Sequence, residues 1–358
     1  MPVINVTKTI LPSLEEYTKK IAPLWETGWL TNRGAMALEL EETLRVKLNV
    51  STLLYVNNGM IALQIAIKAL DLKGEIITTP YSYVATTGAI LWENCKPIFV
   101  DIEENTFCIN AELIEAAITP ETSAILATHV YGFPCDIEKI ETIAKKHNLK
   151  VIYDGAHAFM SSYKGKSLLS FGDISICSFH ATKLFHTIEG GAIICNDTQL
   201  AEKVKLYHQF GHFYDDYRTI GINGKVSEFH AAMGLCVLPK IDEIISSRKT
   251  VFSRYMELLN TSKLRFPVYS QMDDYNYAYF PVIFDTEETA INVQKQLSLN
   301  DINSRRYFFP SLNKLTYLAY QPCPVSEDIA SRVLCLPFYP DLEEHEVKRI
   351  ASIVNNAI

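Results

Sequence analysis

Between about residue 50 and residue 200, seven short β-branched runs alternate with helix-like segments: TLLYVNN, EIITTP, KPIFVDI, SAILATHV, KVIYDGA, ISICSF and GAIICN. Most of them are separated by amphipathic stretches long enough for a crossover helix, which parallel strands require and tight hairpins do not supply. The pattern predicts an α/β layered domain built on a largely parallel sheet. One connecting segment, MIALQIAIKAL, is apolar nearly all the way round, as a helix buried against a sheet must be. Asn57-Asn58-Gly59 stand before it as a turn and cap.

After residue 200 the texture changes. A polar and aromatic loop, HQFGHFYDDYRTIGINGK, leads into a long helical pattern, SEFHAAMGLCVLPKIDEIISSRKTVFSRYMELL, which Pro239 interrupts. The strand-like YAYFPVIF, a helix near TAINVQKQL, the run VLCLPFYPDL and a terminal helix follow. These predict a smaller C-terminal α/β domain over 241–358, packed against a large domain over 1–240 that includes an N-terminal arm.

Composition narrows the function classes. With 358 residues and 48% apolar content the chain can bury a substantial core. It carries 33 Lys and Arg against 41 Asp and Glu, a net charge of −8 with no basic tract, so nucleic acid is not expected as a partner and any phosphate must be met locally. No run reaches the roughly 18 apolar residues that span a bilayer, and the N-terminus lacks the apolar core of a leader, which predicts a soluble, cytoplasmic protein. The eight cysteines form no C-x-x-C pair and mostly sit in strand-like runs, as buried free thiols do, so no metal is expected. MSSYKGKS has Met160 where a P-loop needs its first glycine, and HEVKR has Arg349 where a zinc helix needs its second histidine.

Two residues then stand out. Asp154 ends the strand-like VIYD, and Lys183 follows the next strand end in SFHATK. In an open parallel sheet the C-terminal ends of strands line the ligand crevice, so both can face one site. A lysine can form a Schiff base with an aldehyde, and pyridoxal phosphate is the cofactor that uses one as its anchor while serving as an electron sink. Its pyridine nitrogen needs a carboxylate to stay protonated, a place for Asp154. Its phosphate needs amides at a helix start and a hydroxyl, which Asn58-Gly59-Met60 and Ser178 offer. Its ring needs a flat partner, and Tyr83 in TPYSYVATTGAI follows a strand, although Tyr81 lies two residues away. Taken singly, each has a plainer reading: Lys183 as a solvated lysine, Asp154 as a turn cap, His157 as a core histidine. His129, His180 and His186 are read as structural.

The ordered set NNG, TPYSYVAT, YDGAHA, SFHATK and EGGA resembles the DegT/DnrJ/EryC1/StrS family of sugar aminotransferases, over essentially the whole chain from GWLTNRG to CLPFYPDL. The resemblance implies the aspartate-aminotransferase (type I) fold and pyridoxal 5'-phosphate as cofactor. It implies Lys183 as the cofactor-bonding lysine and proton shuttle, Asp154 at the pyridine nitrogen, His157 by the ring, and Gly59, Met60 and Ser178 at the phosphate. Asn223, in Gly221-Ile222-Asn223, matches a loop that reaches the phosphate of the second subunit, which implies a homodimer with shared active sites. SRRYFFP falls on a substrate segment, making Arg305 and Tyr307 candidates there. The family usually has Thr where this chain has Met60, and Tyr-Arg where it has Gly224-Lys225. The implied reaction moves an amino group from L-glutamate to C4″ of a dTDP-4-keto-6-deoxyhexose, giving dTDP-4-amino-4,6-dideoxyglucose for O-antigen or related glycans. The rival is C3″ amination of the 3-keto isomer. A sugar dehydratase of the family would have histidine in place of Lys183. A non-catalytic regulatory protein on this fold would not need both Lys183 and Asp154. An amino-acid aminotransferase would need an arginine for the α-carboxylate, a place in which Arg332 could be misread.

Overall fold

The computed structural model describes residues 3–268 and 273–358. All seven β-branched runs enter one sheet as β1 (Leu54–Val56), β2 (Glu75–Thr78), β3 (Lys96–Phe99), β4 (Thr122–Thr128), β5 (Lys150–Asp154), β6 (Ile174–Ser178) and β7 (Gly191–Cys195). Their order is β1-β7-β6-β5-β4-β2-β3. Only β7 is reversed, pairing antiparallel with both β1 and β6.

The strands read as unbroken apolar runs because the sheet is covered on both faces. Alternate residues go to different cores: Ile76, Leu126, Ile152 and Ile176 pack on one side, with Ala62, Leu63 and Ala66 of the helix Gly59–Ala69. Ile77, Ile125, Tyr153 and Cys177 pack on the other, with Leu40 and Leu44 of the helix Ala35–Lys47. That helix is capped from a distance: the carboxylate of Glu228 accepts from the amides of Met36 at 2.7 Å and Ala37 at 3.3 Å. Glu228 opens the helix Glu228–Val237, and the expected break at Pro239 is a 3-10 turn, Leu238–Lys240, before the helix Ile241–Leu258.

A second, smaller core forms around β8 (Pro281–Ile283) and β9 (Val333–Cys335), which pair antiparallel. The helices Glu287–Ser298 and Glu344–Ala357 cover it, joined by Val251 and Tyr255 from the far half of the helix Ile241–Leu258. The N-terminal arm crosses onto this core through Ile4, which bridges to Ile302. Farther along, the arm holds the loop between β6 and β7: Thr9 donates to Ala181 O at 3.0 Å, and the His186 ring donates to Ile10 O at 2.6 Å. His186 is structural, as its sequence context predicts. Among the described residues no helix is long and apolar enough to cross a membrane.

Candidate active site

The strand order sets the site. The parallel strands β4, β5 and β6 present Thr128, Asp154 and Ser178 at one edge. Reversing β7 returns the chain to that same edge, where Gly191 pairs with both Ser178 and Val56. The whole β6–β7 loop, with Lys183 on it, therefore sits over the strand ends. Gly191 has to be glycine, because a Cβ there would lie 2.8 Å from Cys177 O and 2.9 Å from the Asn58 carbonyl carbon.

A cavity of about 520 Å³ opens here, lined by Gly59, Met60, Tyr83, Asp154, His157, Ser178, Lys183, Arg305 and Tyr307. Every residue expected at the site lines it except Asn223. That residue is exposed on the 209–225 loop, where its backbone pairs with Gln209 and its carbonyl accepts from Asn57 Nδ2 at 3.3 Å. A groove of similar volume, about 500 Å³, lies at the opposite ends of the strands beside the helix Ile137–His147. Both of its carboxylates already have partners, Asp173 in Lys150 and the Val151 amide and Glu141 in Lys145.

Asp154 is 5% exposed. Its Oδ2 accepts from Thr86 Oγ1 at 2.7 Å and its Oδ1 from the Ala156 amide at 3.0 Å. Burial pushes the carboxyl above its usual range, while those two donors and the charge of Lys183 pull it back. His157 is also buried, its ring stacked on Phe308 at 5.6 Å and edge-on to Tyr279 at 4.9 Å. The Tyr131 amide donates to its Nδ1 at 3.3 Å. Burial first, and then Lys183, holds the imidazole well below its ordinary value, so it is neutral.

The Lys183 amine donates to the Tyr279 hydroxyl at 3.2 Å. Its surroundings lower its proton affinity through desolvation, against the opposing pull of Asp154. Tyr279 was not among the residues singled out in the sequence, and it is braced by two others that were not. Arg248, buried, donates to Tyr277 O and Ala278 O at 2.7 Å each. Asn276 Nδ2 donates to His157 O and Phe159 O at 2.7 Å each. No local pattern in YNYAYF marks these contacts, which join it to segments 29 to 119 residues away.

At the other end of the cavity, Asn58 caps the helix Gly59–Ala69 by accepting from the Ile61 amide at 2.8 Å. The first amides of the helix, those of Gly59 and Met60, have no partner within it, and both residues line the cavity together with Ser178. A Cβ on Gly59 would come within 3.1 Å of Ser178 Cβ, so glycine keeps this end open. The resulting cradle of helix-start amides and one hydroxyl is the chemistry that binds a phosphate.

The mouth is built differently. Tyr83 is 54% exposed, whereas Tyr81 is fully buried with its hydroxyl 2.8 Å from that of Tyr131, a core residue as the neighbouring-aromatic reading allowed. The Arg305 guanidinium lies 4.8 Å over the Tyr307 ring and has no carboxylate partner among the described residues. Arg306, next in sequence, is tied to Glu287 at 2.7 Å, and Arg332 is bound to Asp328 and to Phe284 O. Arg332 therefore has no carboxylate-binding capacity to spare. His180 and Glu189 face each other across the rim at 3.6 Å. His129 is buried and stacked on Tyr153 at 4.6 Å, in the core.

Residues 13–355 match the model of the DegT/DnrJ/EryC1/StrS aminotransferase family. A dTDP-4-amino-4,6-dideoxy-D-glucose transaminase of Shigella dysenteriae is 40% identical over 359 residues, covering 98% of this chain and 98% of that protein. A protein of the same name from Escherichia coli is also 40% identical, over 365 residues and 98% of each chain. Among solved structures, DesI in the presence of its TDP-sugar product matches with a TM-score of 0.92 at 28% identity, covering 99% of this chain and 92% of that one. A match of this extent leaves no part of the fold unaccounted for: the chain belongs to the DegT/DnrJ/EryC1/StrS aminotransferase family.

Proposed function

We propose that this aminotransferase uses pyridoxal 5'-phosphate to move an amino group from L-glutamate to C4″ of a dTDP-4-keto-6-deoxyglucose. One observation carries the reading: a single cavity joins an amine (Lys183), a buried carboxylate (Asp154) and a helix-start phosphate cradle (Gly59, Met60, Ser178). Those are the three anchors the cofactor needs, and the cradle is kept open by a glycine whose Cβ would crowd Ser178, so the residues present fit it. Two relatives at 40% identity over 98% of each chain carry the aminated dTDP-sugar, the product of this reaction, in their names, which supports the sugar.

When bound, the cofactor supplies an electron sink for the C–H bond broken beside the amino group. With the cofactor in place, Lys183 would be the residue that carries the proton to and from the reacting carbon. Desolvation lowers the proton affinity of Lys183, the direction that favours the free amine a base needs. Asp154 holds a proton on the ring nitrogen. His157, neutral and pinned by Tyr131 and Phe308, would pack beside the cofactor ring, and the exposed Tyr83 at the cavity would be a flat partner for it. Met60 gives the phosphate an amide where the family usually adds a hydroxyl. Arg305, without a carboxylate partner among the described residues, would draw in the pyrophosphate, with the Tyr307 ring beneath its guanidinium.

Asn223 is not among the residues lining its own chain's cavity, and its loop displays Phe210, Tyr214 (93% exposed), Tyr217 and Ile220 to the outside. A loop with this much exposed aromatic surface calls for a cover. We assign that cover to a second copy, in a homodimer where each Asn223 serves the partner's phosphate, working in the cytoplasm.

Purified protein incubated with pyridoxal phosphate, glutamate and either the 4-keto or the 3-keto dTDP-sugar tests this. The expected product is aminated at C4″, by mass and NMR connectivity. A product aminated at C3″ overturns the substrate assignment. A Lys183→Ala protein should bind the cofactor yet show no turnover; transamination at the parent rate would remove Lys183 from the mechanism.

A further inference from the structure

Beside Asp154 three hydroxyls stand in a row. Thr128 ends β4, Ser82 lies in the loop after β2, and Thr86 sits in the first turn of the helix Val84–Trp92. All three are buried, at 1%, 2% and 0% exposure. Thr128 Oγ1 donates to Ser82 Oγ at 3.2 Å, Ser82 Oγ and Thr86 Oγ1 are 2.7 Å apart, and Thr86 Oγ1 donates to Asp154 Oδ2 at 2.7 Å.

The direction of the row follows from the acid at its end. An ionised carboxylate can only accept, and a hydroxyl has one proton to give. Thr86 commits its proton to Asp154, so its oxygen accepts from Ser82, and Ser82 in turn accepts from Thr128. All three protons point toward the carboxylate. A protonated Asp154 donating to Thr86 would force the row to reverse, and Thr128 Oγ1 has no other partner among the described residues to take its proton. Such a row polarises along its length, each bond strengthening the next.

We infer that Ser82 and Thr128 are positioning residues which, acting through Thr86, hold Asp154 as an anion so that the proton it shares with the cofactor's ring nitrogen stays on the nitrogen. The inference rests on Asp154 being the partner of that nitrogen. A carboxylate deprived of donors is a stronger base and takes the shared proton for itself, which leaves the ring a weaker electron sink. Neither Ser82 nor Thr128 bonds to Asp154 directly.

The test is nitrogen NMR of ring-labelled pyridoxal phosphate bound to the parent protein and to five variants: Ser82→Ala, Thr128→Val, Thr128→Ser, Thr86→Val and Asp154→Asn. Parent and Thr128→Ser should show a protonated ring nitrogen. Ser82→Ala and Thr128→Val should shift the signal toward the unprotonated form, and Thr86→Val farther. Turnover in Ser82→Ala and Thr128→Val should fall between about twofold and tenfold, the range of one net hydrogen bond, with KM for the sugar unchanged. Parent-like signals in Ser82→Ala and Thr128→Val overturn the inference, and so does an equal shift in Thr128→Val and Thr128→Ser, which would mean packing and not the hydroxyl. If Ser82→Ala fails to fold, judged by thermal unfolding, the two Thr128 variants decide alone. A signal that ignores Asp154→Asn refutes the assignment of Asp154 and the inference with it. A signal that follows Asp154→Asn but ignores the hydroxyls refutes the inference alone.

Discussion

Asp154 and Arg305 line the same cavity, and the protein holds them in opposite ways. The carboxylate is buried, with a hydroxyl and an amide committed to it. The guanidinium is exposed, rests on an aromatic ring and has no carboxylate partner among the described residues. The histidines repeat the contrast: His157 is locked between Tyr131 and Phe308, while His180 stays on the rim facing Glu189 across 3.6 Å. The difference tracks how long each partner would stay in the proposed reaction. A group that keeps one resident partner can be desolvated once, because its counter-charge never leaves. A group whose partner arrives and departs at every turnover has to remain hydrated, since an unpaired buried charge costs several kcal/mol.

Asp154→Asn should break the resident half most severely. Breaking a buried charged pair costs about 3 to 5 kcal/mol, or about two to four powers of ten in rate. The loss is expected in kcat and kcat/KM together, measured by steady-state transamination, because the interaction grows as charge moves onto the ring. A loss confined to KM would move Asp154 into the transient half.

Arg305→Ala should do the reverse. One charge-assisted contact to pyrophosphate is worth about 1.5 to 3 kcal/mol, so KM for the nucleotide sugar should rise about tenfold to a hundredfold with kcat nearly unchanged. Raising the salt concentration should narrow the gap between parent and variant, since an exposed cation is screened. A fall in kcat at saturating sugar would show instead that Arg305 acts on the reacting carbon.

How much of this was legible in the sequence follows the same division. The strands were readable because burial on both faces makes continuous apolar runs, and the chemistry sits at their ends, where DGAHA and SFHATK interrupt those runs. Gly59 and Ser178 were readable because a helix cap and a strand end are local features. Thr86 lies inside TPYSYVAT, yet its bond to Asp154 exists only once β5 lies near the helix that follows β2. Tyr279 and Asn276 had no local signal at all, since their partners at Lys183, His157 and Phe159 are about a hundred residues distant in sequence, and Arg248 reaches the Tyr277 and Ala278 carbonyls across 29 and 30 residues. Asn223 was legible as a motif, but its place outside its own cavity depends on a loop fold that the motif does not specify.

His129 carries the resident principle into the core. It is fully buried, the Cys135 amide donates to its Nδ1 at 3.2 Å, and burial pushes its proton affinity down to about 3. An unfolded chain binds that proton near pH 6.5, and the folded one does not until about 3. Stability from this residue is therefore complete above about pH 6.5 and is lost as the pH falls toward 3, at up to about 1.4 kcal/mol per unit. His129→Phe keeps the stack on Tyr153 but strands the Cys135 amide, which should cost about 1 to 3 kcal/mol at pH 7. Because the variant has nothing to titrate there, denaturant unfolding at pH 7 and pH 5 should show its deficit shrinking by about 2 kcal/mol. An unchanged deficit would mean that the folded histidine takes up its proton after all.

Tyr279 stands where the two halves meet, its ring packed edge-on to resident His157 and its hydroxyl accepting from the amine that must repeatedly move. Tyr279→Phe preserves the ring contacts with His157 and Tyr131 and removes only that acceptor. An acceptor favours the charged amine, so its loss should lower the proton affinity of Lys183 further, in the direction burial already drives it. The acid limb of the kcat profile should then move to lower pH. At neutral pH the amine is less well oriented, and kcat should fall between about twofold and tenfold, the worth of one net hydrogen bond. A fall in rate with the acid limb unmoved would assign Tyr279 to packing alone. A moved limb with the rate preserved would mean that the hydroxyl sets the protonation of Lys183 without aiming it.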